Sequence, residues 1–210
     1  MPIGKFIVFE GGEGSGKSSH LKLSAQYLRQ RGIRLVTTHE PGGTPLGGKI
    51  RQLLLATGSE KPVAQTELFL FLADRAQHVQ TFIQPQLQAG STVLCDRFSA
   101  STLAYQIGGR GLLPANFIAS MEAYSRADLN PDLVLYLEVD PQRGLERKQA
   151  GAANQFNRFE KEAAPFHETI AQYFKTLKKN ESWRTLDANQ PVTVVQQRIN
   201  TILDQFFSQS

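Results

Sequence analysis

Five short apolar runs punctuate the chain, at Lys5 to Glu10, Arg34 to His39, Thr92 to Cys95, Leu133 to Glu138 and, more weakly, Trp183 to Leu186. Longer stretches with apolar positions every three or four residues lie between them. Short runs alternating with helical periodicity predict an α/β fold, a five-stranded parallel sheet flanked by helices on both faces. In the last stretch Val192, Val195, Ile199, Ile202 and Phe206 recur at helical spacing, a stripe expected to face the sheet. From Gln65 to Ala89 the same spacing links Leu68, Leu72, Ala76, Val79 and Ile83, and Pro85 is expected to kink or end that helix. Between Ala150 and Phe159 the pattern fails. Gly151-Ala152-Ala153-Asn154-Gln155 is small, polar and aperiodic, and reads either as a mobile lid between two helices or as an ordinary surface loop.

A chain of 210 residues without a linker, internal repeat or low-complexity segment is expected to form one domain. Its net charge of +4 is mild and spread along the chain, with no basic stripe interleaved with aromatics, so nucleic-acid binding is not expected. A phosphorylated small molecule is reason enough for the excess. Cys95 is the only cysteine, which rules out an internal disulfide and suggests a reducing compartment. Within Val93-Leu94-Cys95 it reads as a buried structural thiol. There is no signal-type apolar segment at the start and no run of membrane-spanning length, so a soluble cytoplasmic protein without a membrane partner is expected.

The chemistry is concentrated in a few places. Directly after Phe6-Ile7-Val8-Phe9 comes Gly11-Gly12-Glu13-Gly14-Ser15-Gly16-Lys17-Ser18, followed by Ser19, in the strand-then-helix setting of a phosphate-cradling loop. Glycines let successive N–H groups turn toward one anion at a helix start, Lys17 adds a mobile charge, and Ser18 offers a hydroxyl to a magnesium ion on the phosphates. Such loops occur in motors, switches and kinases, and the Asn-Lys-x-Asp guanine-reading motif of a GTP switch is absent. In Val93-Leu94-Cys95-Asp96-Arg97 a strand ends in a carboxylate beside a guanidinium, where strand ends line the ligand crevice. Asp96 could hold magnesium-bound water or orient Arg97. After the second strand, Glu40-Pro41-Gly42-Gly43-Thr44 makes a tight turn against which a second substrate could rest. Phe71 and Arg75 are four apart on a helix, an aromatic plane and a donor fork suited to a flat base.

As an ordered set, the P-loop, Glu40-Pro41-Gly42-Gly43-Thr44, Phe71-Leu72-Ala73-Asp74-Arg75, Asp96-Arg97-Phe98 and Ala104-Tyr105-Gln106 resemble the bacterial thymidylate kinases over essentially the whole chain. Leu186-Asp187-Ala188-Asn189-Gln190-Pro191 resembles that family's closing loop. The resemblance implies transfer of the γ-phosphoryl group of ATP to dTMP, with magnesium, giving dTDP and ADP for dTTP biosynthesis. It also implies a homodimer and a short lid at about 150–160. By the same resemblance Phe71 stacks on thymine, Arg75 donates to a ring carbonyl, and Ser101, Thr102 and Gln106 meet the remaining polar edge. Tyr105 crowds the sugar 2' position and Glu13 meets the 3'-hydroxyl. Arg97 binds the dTMP phosphate, with Arg51 a further candidate, and Ser18 and Asp96 serve the metal. Arg147 lies over adenine or reaches ATP phosphates, and Arg158 is the cation that the lid brings to the transfer.

The lid departs from the family pattern: Gln149 and Gly151 stand where a basic residue is expected, and Asn157 replaces a usual aspartate. Two other readings compete, another nucleoside monophosphate or nucleoside kinase of the same fold, and a P-loop regulatory ATPase.

Overall fold

A computed structural model of the chain describes residues 4–58, 60–150, 157–177 and 182–208. Five strands, β1 (Phe6–Glu10), β2 (Leu35–His39), β3 (Thr92–Asp96), β4 (Leu133–Glu138) and β5 (Trp183–Asp187), form one sheet in the order β2-β3-β1-β4-β5. Every pairing is parallel. β1 sits at the centre and is buried along its whole length, because helices cover both faces and its pleat has no wet side. Its odd and even residues serve different layers. Ile7 and Phe9 join Leu94, Leu135 and Leu137 on one face, while Phe6 and Val8 join Val93 and Cys95 on the other. Burial pushes the Cys95 thiol pKa well up, as befits a structural sulfur.

On the first face α1 (Lys17–Gln30) packs beside α9 (Val192–Ser208). The buried row of α9 runs through Val195, Ile199 and Leu203, with Ile202 and Phe206 on its margin. Val192, expected in that stripe, is 55% exposed at the first position of the helix. The pattern shows an apolar face but not which four-residue row lies at its centre.

On the second face α3 (Ala64–His78), a π-helical turn (Val79–Ile83) and α4 (Gln84–Gln88) follow one another without a break. Pro85 therefore does not end the helix. A proline cannot donate to the carbonyl four residues back and its ring collides with it, and the preceding turn widens so that Gln84 N–H reaches Val79 O, five residues back. A second π turn, Ala104–Gly109, follows α5 (Ser99–Leu103). The remaining helices are α2 (Pro45–Leu55), α6 (Ala115–Ser125), α7 (Pro141–Ala150) and α8 (Ala164–Leu177). None of the described helices is long and apolar enough to cross a membrane.

Of the segment expected to act as a lid, residues 151–156 lie outside the described residues. Just after them Asn157 Oδ1 accepts from the N–H groups of Phe159 and Glu160, which shapes the turn leading toward α8.

Candidate active site

Parallel strands open their carboxyl ends on one edge, and the chain leaves central β1 for edge strand β2 before returning through β3, creating a crevice at the switch point. A cavity of about 490 Å³ occupies that edge. P-loop residues Glu13, Gly14, Gly16, Lys17, Ser18 and Ser19 form one side. His39, Glu40, Pro41 and Arg51 border it next, Phe71, Arg75, Ser101, Thr102, Tyr105 and the buried Phe159 enclose the far end, and Arg147 and Lys148 complete the lining.

The loop is shaped from within. Gly14 and Gly16 have φ of 66° and 88°, left-handed conformations that favour glycine. Ser15 Oγ donates to Gly12 O at 2.9 Å and Arg97 Nη1 donates to Gly11 O at 3.0 Å. Gly11, Gly12 and Ser15 set this curve without lining the cavity. α7 rests directly on the loop: a Cβ on Gly144 would lie 2.2 Å from Glu13 O, and one on Gly14 would lie 1.9 Å from Gly144 O. Lys17, at the start of α1, donates to Gly12 O at 2.6 Å and to Ser15 Oγ at 3.2 Å. Burial, with Arg97 adding to it, lowers its pKa to about 8. Ser18 Oγ donates to Asp96 Oδ2, joining the end of β3 to the loop.

Next to the loop lies a charged knot. Arg97 Nη2 meets Glu13 Oε1 at 2.7 Å, and Arg97 Nη1 also donates to Ser101 Oγ at 3.1 Å. Tyr105 Oη donates to Glu13 Oε1 at 2.8 Å. Burial pushes the Glu13 pKa up, but Arg97, Lys17 and the tyrosine hydroxyl outweigh it and bring the value down to about 2. Glu13 is therefore ionised beside a phosphate site because cations surround it. Arg97 itself has φ of 70°, a left-handed conformation costly for a side chain of its size. It is held there by Glu10, whose carboxylate accepts from the N–H groups of Phe98 and Ser101 at 3.0 and 3.1 Å. Burial raises the Glu10 pKa, and those bonds oppose the rise.

At the far end Arg75 is 2% exposed. Its Nε and Nη2 donate to Glu40 Oε2 at 2.9 and 2.6 Å, and its Nη1 donates to Thr102 Oγ1 at 2.8 Å and Glu122 Oε1 at 3.2 Å. His78 Nδ1 lies 2.9 Å from Glu40 Oε1. Such a pair is retained in a dry site because each charge has several partners, and removing either would strand the other. Phe71 faces the same cavity, its ring 5.9 Å from that of Phe159.

Two expected site residues point elsewhere. Gln106 is fully buried away from the cavity and donates to Glu67 Oε1 at 2.7 Å, because it sits on the π turn that carries Tyr105 toward the cavity. Arg158, assigned above to the lid, is 4% exposed and also off the cavity. Its Nη1 lies 2.7 Å from Glu67 Oε2 and its Nε donates to Leu54 O at 3.1 Å. Arg110 pairs with the same carboxylate at 3.1 Å. A buried glutamate needs cations, and Arg158 is one of them.

Arg51 donates from Nη1 to Pro41 O at 2.7 Å, and Arg147 donates to Ala188 O at 2.7 Å and more loosely to Asn189 O at 3.4 Å. The sequence reading missed Glu10, His39, Lys148 and Phe159. Phe159, directly after Arg158, was within reach of sequence reasoning, and Glu10 ends a strand just before the loop. Nothing in the sequence marked Glu67 as the hidden anion.

The sequence model of the family described as thymidylate kinase matches residues 9–199. The chain is 46% identical over 202 residues to a thymidylate kinase of Pseudomonas fluorescens (strain SBW25), covering 95% of each chain. It is 44% identical over 200 residues to a thymidylate kinase of Pseudomonas putida (strain W619), covering 94% of this chain and 95% of the relative. A thymidylate kinase of Cyanothece sp. (strain PCC 7425 / ATCC 29141) is 44% identical to it, over 96% of this chain and 94% of the relative.

Proposed function

The chain belongs to the thymidylate kinase family, and from that premise we propose that it transfers the γ-phosphoryl group of ATP to dTMP across the cavity described above. One observation carries the reading. A phosphate-cradling loop and an aromatic pocket with buried polar donors face each other in a single cavity, with Arg97 between them.

ATP lies with its phosphates on the loop amides and Lys17, and Arg147 borders its base. The thymine ring lies on Phe71, with Arg75, Ser101 and Thr102 around its polar edge. Glu13 and Tyr105 meet the sugar. Arg97 and Arg51 hold the acceptor phosphate in line with the γ-phosphorus. An acceptor oxygen then bonds to that phosphorus as the bond to the β–γ bridging oxygen breaks, its electron pair leaving with ADP. Catalysis of this kind is positioning and charge neutralisation rather than covalent chemistry by the protein.

A hydroxyl and a carboxylate, Ser18 and Asp96, already touch beside the loop. Oxygen donors in that number fit magnesium, which keeps waters and takes its other ligands from substrate phosphates. When bound, the ion would neutralise charge on the β- and γ-phosphates.

Exposed Leu53 lies on α2, Phe69 on α3, and Phe117 and Tyr124 on α6, apolar side chains suited to a homodimer contact. A cytoplasmic setting accords with the single buried thiol and the use of ATP. Purified protein with magnesium, ATP and a panel of nucleoside monophosphates tests the reading: dTMP should be phosphorylated fastest. Turnover of AMP or CMP with none for dTMP would overturn it.

A further inference from the structure

Phosphoryl transfer spreads negative charge over three equatorial oxygens, and cations that meet those oxygens speed the reaction. Among the described residues, six basic side chains line the cavity: Lys17, Arg51, Arg75, Arg97, Arg147 and Lys148. The four arginines are each anchored. Arg75 is held by Glu40 and Glu122, Arg97 by Glu13 and Gly11 O, Arg51 by Pro41 O, and Arg147 by Ala188 O. Arg158 is spent on Glu67, and the sequence of residues 151–156 contains no lysine or arginine.

Lys148 differs from the rest. It lies in the last turn of α7, its side chain is 44% exposed, and among the described residues its one ion pair is to Glu160 at 2.8 Å. Only the lysine end of the pair is exposed, for the Glu160 side chain is 6% exposed, but Glu160 Oε2 also accepts from Asn157 N–H at 2.9 Å, so the carboxylate keeps a donor when the four-carbon stem swings the ammonium away. Its position is fixed by Gly144. That residue is pressed on Glu13 O, and Lys148, four positions later, shares its helix face and so overhangs the loop. Its charge already contributes to holding Glu13 ionised.

We propose that Lys148 is a catalytic residue of the phosphoryl transfer: its ammonium leaves Glu160 and donates hydrogen bonds to the transferring γ-phosphoryl oxygens, opposite Lys17. No proton is transferred; the N–H groups only neutralise charge while the acceptor oxygen displaces ADP. The assignment rests on the kinase reading above.

The test uses the full-length enzyme and its K148M and K148R variants, with magnesium, ATP and dTMP. K148M should lower kcat by about 10²-fold or more, with the KM for dTMP within about threefold, and K148R should restore most of the loss. A second readout separates chemistry from folding. With dTMP, ADP and aluminium fluoride, which imitates the transferring group, K148M should bind at least about tenfold more weakly than wild type while binding ADP alone normally. A K148M kcat within threefold of wild type, or an equal loss of affinity for ADP alone, would overturn the proposal. If wild type prefers an acceptor other than dTMP, the substrate reading fails, and the same variants run on that acceptor still decide the role of Lys148. If no acceptor is used, both fall.

Discussion

Gly144→Ala tests how rigidly α7 and the P-loop are matched. The added methyl would lie 2.2 Å from Glu13 O and 3.3 Å from a methyl of Val139, so helix and loop must part by most of an ångström. Two effects on stability oppose each other. Alanine in a helix interior gains about 1 kcal/mol over glycine, whereas forcing a methyl into a filled contact costs about 1 to 3 kcal/mol. The net lies between about 0 and 2 kcal/mol of destabilisation, or a fall in Tm of up to about 8 °C for a chain of this length. The catalytic effect is larger, because a displacement of about 1 Å in a phosphate-positioning loop can cost about 10²-fold in rate. Steady-state kinetics should show kcat/KM for ATP down by about that factor, with a smaller loss for dTMP, whose base rests on Phe71 and Arg75 of α3 while its sugar meets the displaced Glu13. Circular dichroism during heating should show one folded species with a modest shift in Tm. Wild-type kcat/KM for ATP in a folded G144A protein would refute the close contact on which this rests.

Phe71→Ala should weaken dTMP binding by about 1 to 3 kcal/mol, a rise in KM of about 5- to 150-fold, and a rise confined to ATP would contradict its place at the base. Burial lowers the Lys17 pKa to about 8, so the ammonium is intact below that pH and is lost as pH rises through it. A profile of kcat/KM for ATP, which reports the free enzyme, should fall above about pH 8; a flat profile from pH 7 to pH 10 would show that burial does not depress the Lys17 ammonium in this way. Glu67→Gln would leave Arg110 and Arg158 without their buried anion and should cost about 3 to 5 kcal/mol, read as a lowered midpoint in urea denaturation. A midpoint unchanged by E67Q would show that those guanidiniums find other partners.

Local pattern carried further for the scaffold than for the charges. The five apolar runs coincide with the strands to within a residue at each end; β1, β3 and β4 are apolar almost throughout because both their faces are buried, while the edge strands β2 and β5 are largely uncovered and carry weaker runs. The P-loop was legible because only glycine readily adopts the backbone angles it needs. Of the two outcomes expected at Pro85, a kink or an end, the end does not occur, because propensity describes a regular helix and not the wider turn that accommodates a proline. Arg158 misled for another reason. An arginine near a presumed lid has the same sequence signature whether it meets a phosphate or a buried glutamate ninety-one positions earlier.

The sequence by itself determined the parallel α/β scaffold, the position of the phosphate loop and the residue types able to meet a nucleotide, since these depend on periodicity, backbone freedom and local spacing. Only the tertiary structure decided which charges stay available. Arg75, Arg97 and Arg158 are engaged by Glu40, Glu13 and Glu67 from distant parts of the chain, while Gly144 brings Lys148 over the loop. Ion pairing falls off with distance in space and is indifferent to separation along the chain, so the allocation of these charges is settled only when the fold has brought the partners together.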